Sequence, residues 1–277
     1  MQHQPSPHPK ILAIETSSER LSLAIQQGET VYVREIDAGQ RHSELAIAAL
    51  ADLLAEAKLT VAELDAIAFG QGPGSFVGVR IACGLAQGLA LGAAKPLIAV
   101  PSQLALAEQA LAECATLNGV LVAVDARMGE FYVAAFSVDH AEVTGWRTMV
   151  APLLAKADQL PHLPGNDWYA IGSGFDVPVL CTQLTTRYAG QFVNILSDRL
   201  PSAAEVARIA ARQWVAQAAS QGAAGILPEF AAPLYLRNHV AMTIEERRAA
   251  KELKTELTAA ANTAGVASAV MLAGAPA

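Results

Sequence analysis

A glycine-rich turn at residues 70–80, with the sequence GQGPGSFVGVR, has the spacing most suggestive of chemistry in this chain. It follows a short apolar run at residues 66–69 and precedes a long segment rich in Ala, Gly and Leu. Glycines permit positive φ angles and close backbone approach. The start of a helix also offers unpaired N–H groups to an anion or to a partner's carbonyl. The turn is therefore either a phosphate cradle or a tight connection between a strand and a helix.

Acidic residues end the first buried strand in each half of the chain, at Glu15 and Asp125. In a two-lobed nucleotide-binding fold, carboxylates there hold Mg²⁺ through water, and nearby polar residues approach phosphates and an adenosine. The alternative is that both acids are solvated strand ends. The first hairpin lacks glycine, and Glu19 in it repels phosphate, so we predict a weak or degenerate nucleotide cleft. Its candidate residues are Glu15, Thr16, Ser17, Gly72, Gly74, Ser75, Asp125, Arg127, Gly172, Ser173 and Gly174.

The sequence offers no other pattern for catalysis or metal binding. No two of its six histidines share a helix face at i, i+3 or i+4 in a folded segment, as a helical metal pair would. Ser75 resembles a nucleophile elbow, but its Gly-x-Ser-x-x-Gly pattern fails the required Gly-x-Ser-x-Gly spacing. The widely separated Cys83, Cys114 and Cys181 indicate buried thiols in a reducing compartment. We predict no catalytic residue, no metal site and no cofactor bound by this chain itself.

The composition excludes whole classes of partner. Of the 277 residues, 53% are apolar and 16% are charged, and the net charge is -7. Such a chain is not an electrostatic binder of nucleic acid, and its lightly charged surface can carry an apolar patch for a protein partner. The apolar stretch 81–100 is interrupted by Gln87, Lys95 and Pro96, which argues against a membrane span. We therefore predict a cytoplasmic protein that contacts no membrane.

Apolar periodicity predicts an α/β chain of two successive units. The first has strands at 10–18, 21–25, 30–37, 64–69 and 97–100, and helices at 45–57, N-capped by Ser43, and at 76–92. The second has a helix at 103–115, strands at 120–125, 130–138, 142–150 and 168–172, and a short helix at 152–159. Ser202 and Glu205 form a capping-box pattern at the start of a helix at 203–219. The repeated order suggests a duplicated fold with a cleft between its lobes.

These elements give a map of domains. We predict a first lobe at residues 10–102, with the helix at 202–219 packed back on it, and a second lobe at 103–201. Residues 1–9 are predicted to be disordered. An extended surface segment is predicted at 220–241, and a charged helix with a disordered tail at 242–277.

The helix predicted at 76–92 carries an unusual stripe of glycines. Gly84, Gly88 and Gly92 recur every four residues. Beside them runs a stripe of large apolar residues: Val77, Ile81, Leu85 and Leu89. A glycine inside a helix costs about 1 kcal/mol relative to alanine, so close approach of another backbone is the best reason for three of them. That backbone belongs either to the chain's own sheet or to another subunit, and the sequence leaves both open.

Several motifs together resemble the TsaB (YeaZ) family, bacterial partner proteins in making threonylcarbamoyladenosine at position 37 of tRNA. The motifs lie at 11–17, 41–44, 70–80, 84–92, 125–130 and 233–237. The resemblance implies an actin/Hsp70/sugar-kinase-like (ASKHA) fold of two tandem RNase H-like lobes. It also implies a catalytic relative, TsaD, an ATPase partner of the TsaE type, and transfer of a threonylcarbamoyl group from its adenylate to adenosine 37. ATP and metal are then expected on partner subunits, and tRNA only within the complex.

The resemblance also implies where this chain departs from TsaD. TsaD-like proteins carry a His-x-x-x-His metal pair at the positions of Ser102 and Leu106. Neither side chain binds a metal as imidazole does, which argues against catalysis by this chain alone. Glu15 stands where the family usually has Asp, and its longer side chain would displace a magnesium-bound water.

The resemblance further implies a partner surface on two helices. We expect the helices at 43–57 and 76–92 to pack on related helices of a TsaD-like subunit, or on themselves in a two-fold homodimer when the chain is alone. The expected interface residues are Arg41, His42, Leu45, Leu50, Leu53, Leu54, Val77, Ile81, Gly84, Leu85, Gly88, Leu89 and Gly92. The alternative from another class is an enzyme of the same fold, either a small-molecule kinase or a metallopeptidase-like protein.

Overall fold

The first apolar run of the chain becomes the central strand of a five-stranded sheet. This computed structural model describes residues 8–114, 116–219 and 225–237. Strands β1 (Lys10–Glu15), β2 (Arg20–Gln27) and β3 (Thr30–Asp37) form an antiparallel meander. Strands β4 (Ala66–Gly70) and β5 (Leu97–Val100) add in parallel on the other side of β1. The resulting order is β3-β2-β1-β4-β5, and β1 is buried because helices cover both faces of the sheet.

A second sheet repeats this connectivity. It contains β6 (Gly119–Asp125), β7 (Glu130–Val138), β8 (Trp146–Lys156), β9 (Trp168–Ile171) and β10 (Phe192–Leu196) in the order β10-β9-β6-β7-β8. Again the first three strands are antiparallel, and the last two add in parallel beside the first strand. The matching order in the two sheets confirms the predicted two-lobed ASKHA fold.

Among the described residues, five helices cover the sheets: α1 (His42–Ala57), α2 (Phe76–Ala93), α3 (Ser102–Glu113), α4 (Pro178–Arg187) and α5 (Ala203–Ala219). Helices α1 and α2 share one apolar core with the outer face of the first sheet. Helices α3 and α5 lie in a central core that includes side chains of both sheets. Helix α4 packs on the outer face of the second sheet. The layers are therefore helices, sheet, helices, sheet and helix.

Hydrogen bonds to a buried carboxylate connect helices α3 and α5 to the second sheet. Glu108 of α3 is buried and accepts a hydrogen bond of 2.7 Å from the indole nitrogen of Trp146 at the start of β8. Arg212 of α5 donates to both oxygens of the same carboxylate, at 2.9 and 2.8 Å. Such a bidentate pair fixes orientation as well as charge, so α3, α5 and β8 are held in one arrangement.

The region after β7 departs from the prediction. The short helix predicted at 152–159 is wrong, because β8 runs on to Lys156 and only Ala157–Gln159 forms a 3₁₀ turn. The third strand of this unit therefore lies at Trp146–Lys156 rather than at 142–150. Pro152 is compatible with the strand because β8 is an edge strand and its pairing with β7 is irregular near this proline.

The cap predicted for α1 is wrong, whereas Ser202 does cap α5. Ser43 is not an N-cap: α1 begins at His42, and its cap residue Arg41 makes no side-chain capping bond. At the start of α5, the Ser202 hydroxyl accepts from the N–H of Ala204, and Ser22 of β2 accepts from the N–H of Ala203. The free backbone N–H groups in the first turn of α5 thus find part of their hydrogen-bond acceptors in the first sheet.

Several predictions concern residues at the ends of the chain. Of residues 1–9, which were predicted to be disordered, residues 1–7 lie outside the described residues. The charged helix and tail predicted at 242–277 lie entirely outside them. Of the extended segment predicted at 220–241, residues 225–237 are described; they run along the surface with a single 3₁₀ turn at Pro228–Phe230. We call residues 225–236 the strap.

Candidate functional site

The glycine-rich turn packs directly on the end of β1. The N–H of Ser75 donates to the carbonyl of Ser17 at 2.7 Å, and the hydroxyl of Thr16 donates to the carbonyl of Gly78 at 2.7 Å. A Cβ atom on Gly74 or Gly78 would overlap the backbone of these two β1-end residues. These two glycines are therefore required for packing within the chain, and this packing does not depend on a phosphate.

A buried carboxylate closes the first-lobe half of the predicted nucleotide cleft. Glu15 is fully buried, and its two carboxylate oxygens accept 2.6 Å hydrogen bonds from the N–H of Ser17 and from the hydroxyl of Ser102. The Ser102 oxygen in turn accepts from the N–H of Gly72 at 3.1 Å. Any side chain on Gly70 would overlap the carboxylate. Burial raises the pKa of Glu15, since water no longer solvates its charge.

Ser102 and Leu106 lie at the start of α3, one turn apart. The Ser102 hydroxyl is hydrogen-bonded to Glu15 and to the N–H of Gly72, and Leu106 is fully buried in the central core. Neither side chain is free to approach an ion. Among the described residues, no group of three or more His, Cys, Asp or Glu side chains is placed to hold a metal.

The second-lobe half of the cleft is also internally bonded. The backbone N–H of Asp125 donates to the Ser173 hydroxyl at 3.2 Å, and Arg127 donates to both oxygens of the Asp125 carboxylate at 2.7 and 3.1 Å. Cβ atoms on Gly172 and Gly174 would lie 2.6 and 2.9 Å from the carbonyl oxygen of Ala123. These glycines serve the close packing of the loop on β6.

Acidic residues of both lobes act on the Asp176 carboxyl. Burial, and then the charges of Asp198 and Glu19, raise the pKa of Asp176. Glu19 belongs to the first hairpin and Asp176 to the second lobe, so a charge of the first lobe contributes to this shift.

Some residues of the predicted partner surface are buried in the core, and others lie on the exterior of the protein. Leu50 and Leu53 are buried in the core between α1, α2 and the first sheet, and His42 is buried at the start of α1, so the prediction that they line a surface is wrong. Their helical spacing is that of a core stripe. Leu45, Leu54, Ile81, Leu85 and Leu89 are half-buried. Arg41, Val77, Gly84, Gly88 and Gly92 are exposed.

The glycine stripe of α2 faces outward. A Cβ atom placed on Gly84, Gly88 or Gly92 would meet nothing within 4 Å. The alternative that these glycines admit the chain's own sheet is therefore wrong. Two further apolar residues, which sequence reasoning missed, are exposed nearby: Leu91 of α2, at 64%, and Ile47 of the neighbouring α1, at 59%. We call the exposed residues Val77, Gly84, Gly88, Leu91 and Gly92 the α2 face.

Helix α2 is also the one described helix that is long and apolar enough to cross a membrane by length and composition. Its opposite side, with Ala82, Ala86 and Ala90, is buried in the core against the first sheet. Such packing is typical of a helix that belongs to a folded lobe and exposes only one of its sides.

The strap lies along α2 beside this face. Gln87 donates to the carbonyls of Pro228 and Ala231 at 2.8 and 3.2 Å. The N–H of Leu234 donates to the carbonyl of Gln71 in the glycine-rich turn at 2.7 Å. Sequence reasoning predicted an extended surface segment but missed its anchors, because glutamines carry no positional signal.

Comparison with known proteins decides the family. A family model described as "TsaD: tRNA N6-adenosine threonylcarbamoyltransferase" matches residues 34–275. The chain is 33% identical over 238 residues to the tRNA threonylcarbamoyladenosine biosynthesis protein TsaB of Escherichia coli K12, which covers 84% of this chain and 96% of that protein. The chain belongs to the TsaB (YeaZ) family. It therefore takes part in tRNA threonylcarbamoyladenosine biosynthesis, as the resemblance implied.

The structure agrees with this membership. A solved protein from Pseudomonas aeruginosa, described as similar to "peptidase YEAZ", matches with a TM-score of 0.71 at 30% identity, over 83% of this chain and 100% of that one. A tRNA N6-adenosine threonylcarbamoyltransferase of Maricaulis maris is 52% identical over 63 residues, covering 23% of this chain and 17% of that protein. This TsaB-family chain thus shares both a whole fold with YeaZ and a local segment with a transferase.

Proposed function

We propose that this TsaB-family protein is a non-catalytic subunit that binds and supports a TsaD-like catalytic subunit. The observation that carries the proposal is the α2 face, where three glycines point into open space beside exposed Val77 and Leu91. Glycines in an exposed helix lower its stability, so their presence needs a reason such as close approach of another backbone. A second helix that packs on this face supplies that backbone, and the large apolar residues beside the stripe are then buried.

The closed first-lobe site supports the non-catalytic part of the proposal. Glu15, Ser102 and Gly72 are hydrogen-bonded to one another, and the Glu15 and Ser102 side chains are buried out of reach of a substrate. Leu106 is enclosed in the apolar core. The chemistry, which is transfer of a threonylcarbamoyl group from its adenylate to adenosine 37, then belongs to the partner, which carries the metal.

The remaining components follow from the same assignment. A TsaE-like ATPase supplies ATP turnover, and tRNA is bound only within the complex, because a chain of net charge -7 does not attract nucleic acid by itself. We place the complex in the cytoplasm. When the TsaD-like subunit is absent, two copies of this chain pair through the α2 face around a two-fold axis.

Substitution on the α2 face tests the proposal. Gly84→Leu and Gly88→Leu add bulk where the partner's backbone must approach, so we expect weaker binding of the host's TsaD-family protein in titration calorimetry and a loss of homodimer in analytical ultracentrifugation. Thr186→Leu, at an exposed position of α4 in the other lobe, is the matched control. Folded Gly84→Leu and Gly88→Leu variants with unchanged affinity for the partner would refute the α2 interface.

Assays of the isolated protein test the alternative of an ASKHA-fold enzyme. Purified protein is analysed for bound metal and for hydrolysis of ATP. We expect neither stoichiometric metal nor turnover. Either result, obtained without partners, would make the protein a kinase-like or metallopeptidase-like enzyme and overturn the non-catalytic assignment.

A further inference from the structure

Arg80 is the single charged residue of α2, in an 18-residue helix with the sequence FVGVRIACGLAQGLALGA. It is exposed, and it lies one turn before Gly84 and three residues after Val77. On a helix, residues three or four apart share a side, so Arg80 belongs at the edge of the α2 face that is nearer to the strap. An apolar helix surface thus carries one cation, at one end.

The guanidinium of Arg80 is held in place before any partner arrives. Its central carbon lies 3.5 Å from the ring centroid of Phe76 and 5.4 Å from that of Tyr235. Its Nε donates to the Tyr235 hydroxyl at 2.8 Å. The rings themselves are 5.9 Å apart. The side-chain entropy of the arginine is therefore largely lost on folding, and less is lost on binding.

The strap is what brings Tyr235 to this position. Its hydrogen bonds to Gln71 and Gln87 fix it against the turn that starts α2 and against the middle of the helix. The orientation of Arg80 thus follows from the same packing that places the α2 face.

The bonding of Arg80 is incomplete, in contrast with that of most described arginines. In the part of the chain that the structure describes, seven arginines form ion pairs with a carboxylate: Arg20, Arg34, Arg127, Arg147, Arg199, Arg208 and Arg212. No described residue pairs with the two terminal nitrogens of Arg80. A planar fork of N–H donors is complementary to a carboxylate, which it binds through two parallel hydrogen bonds.

We propose that Arg80 is the specificity contact of the α2 face, and that the partner helix presents an Asp or Glu carboxylate to it beside small apolar residues. This inference rests on the proposed function of the α2 face. Arginine and tyrosine are enriched among the residues that carry most of the binding energy of protein interfaces, and this pair packs on Phe76, which is itself partly exposed. A protein carboxylate fits better than an RNA phosphate, because α2 offers no second cation and the chain is acidic overall.

Titration of the full-length chain with the host's TsaD-family protein, at low and at high salt, tests the assignment. Arg80→Gln removes the charge while Phe76 and Tyr235 remain, and we expect the dissociation constant to rise by about tenfold or more and to lose most of its salt dependence. Arg80→Lys keeps the charge without the fork, so it restores the salt dependence but only part of the affinity. Arg147→Gln, which removes an arginine of the second lobe, is expected to bind as wild type.

Two further measurements separate the explanations. Thermal unfolding of each variant shows whether lost affinity reflects lost structure. Tyr235→Phe removes the hydrogen bond from the Nε of Arg80 but keeps the charge of Arg80, so its affinity for the partner should fall less than that of Arg80→Gln. If Arg80→Gln matches wild type in affinity and salt dependence, the specificity contact is refuted while the α2 interface stands. If wild type does not bind the partner at all, both proposals fail. If Arg80→Gln reduces only the binding of tRNA, the contact is to a phosphate and the carboxylate assignment is wrong.

Discussion

At the scale of single residues, the hydrogen-bonded group of Glu15, Ser102 and Gly72 explains why the first-lobe site is closed. Sequence patterns drew attention to each residue separately: Glu15 as an acid at the end of a strand, Ser102 as a position where TsaD-like proteins carry a metal-binding histidine, and Gly72 as a turn glycine. Their contact joins residues 87 positions apart along the chain. It depends on the parallel pairing of β1 with β4, so it could not be predicted from local spacing.

Substitution of Ser102 measures the strength of this group. Ser102→Ala leaves the N–H of Gly72 without its acceptor and the buried carboxylate of Glu15 with one donor fewer. Loss of a partner for a buried polar group costs about 1–3 kcal/mol, and we expect the free energy of unfolding in urea to fall by that amount. Ser43→Ala, at an exposed position that makes no capping bond, is the control and should change little. Equal stability of both variants would contradict the described network.

The pH dependence of stability tests the burial of Glu15. Its pKa is raised in the folded protein, so folding favours the protonated form. Its contribution is therefore fully present below about pH 4.5, the ordinary value for glutamate, and is lost as the pH rises through the raised pKa. Glu15→Gln cannot ionise.

We expect the unfolding free energy of Glu15→Gln, relative to wild type, to rise across that same interval and to be constant below it. Urea unfolding of both proteins at a series of pH values measures the difference, in which the other titrating groups cancel. A difference that does not vary with pH would mean that Glu15 titrates normally in the fold.

At the scale of elements, α2 combines two kinds of glycine. Those at its start, such as Gly78, are required because the helix is packed on the end of β1, whereas Gly84, Gly88 and Gly92 face open space. The sequence predicted the helix closely, at 76–92 against Phe76–Ala93. It could not tell which side the glycines face, because a glycine has no side chain whose polarity distinguishes core from surface.

Alanine substitution separates these two kinds of glycine by the sign of its effect. Gly78→Ala places a Cβ against the carbonyl of Thr16 and should destabilise the fold by about 1–3 kcal/mol, as overpacking does. Gly84→Ala adds a Cβ in open space within a helix and should stabilise the isolated chain by about 0.5–1 kcal/mol. Thermal and urea unfolding measure both. A stabilising Gly78→Ala or a destabilising Gly84→Ala would contradict the placement of α2.

Two elements of the second lobe escaped the sequence patterns for physical reasons. Helix α4 buries only Leu180 and Leu184, so its apolar periodicity is short. Strand β10 is an edge strand with largely exposed residues, and it lacks the continuous apolar run that identifies β6. In both, tertiary contacts rather than local pattern determine the structure.

At the scale of the whole molecule, duplication accounts for the architecture. Each lobe begins with a meander and continues with parallel strands, and the sequence predicted that repetition from the order of its elements. The layered packing could not be predicted in the same way, because α3 and α5 acquire their place from contacts with both sheets. The buried side chains of the first-lobe site and the exposed apolar face of α2 together support the proposal that the molecule binds a partner.

Reconstituted tRNA modification tests the central claim most directly. Threonylcarbamoyladenosine is quantified after incubating tRNA and the threonylcarbamoyl adenylate with the host's TsaD-family and TsaE-type proteins and ATP, with wild-type chain, with the Gly84→Leu or Gly88→Leu variant, and without it. We predict product with the wild type, little with either variant, little without the chain, and none from this chain alone. Undiminished product without the chain, or product formed by the chain alone, would contradict its role as a non-catalytic supporting subunit.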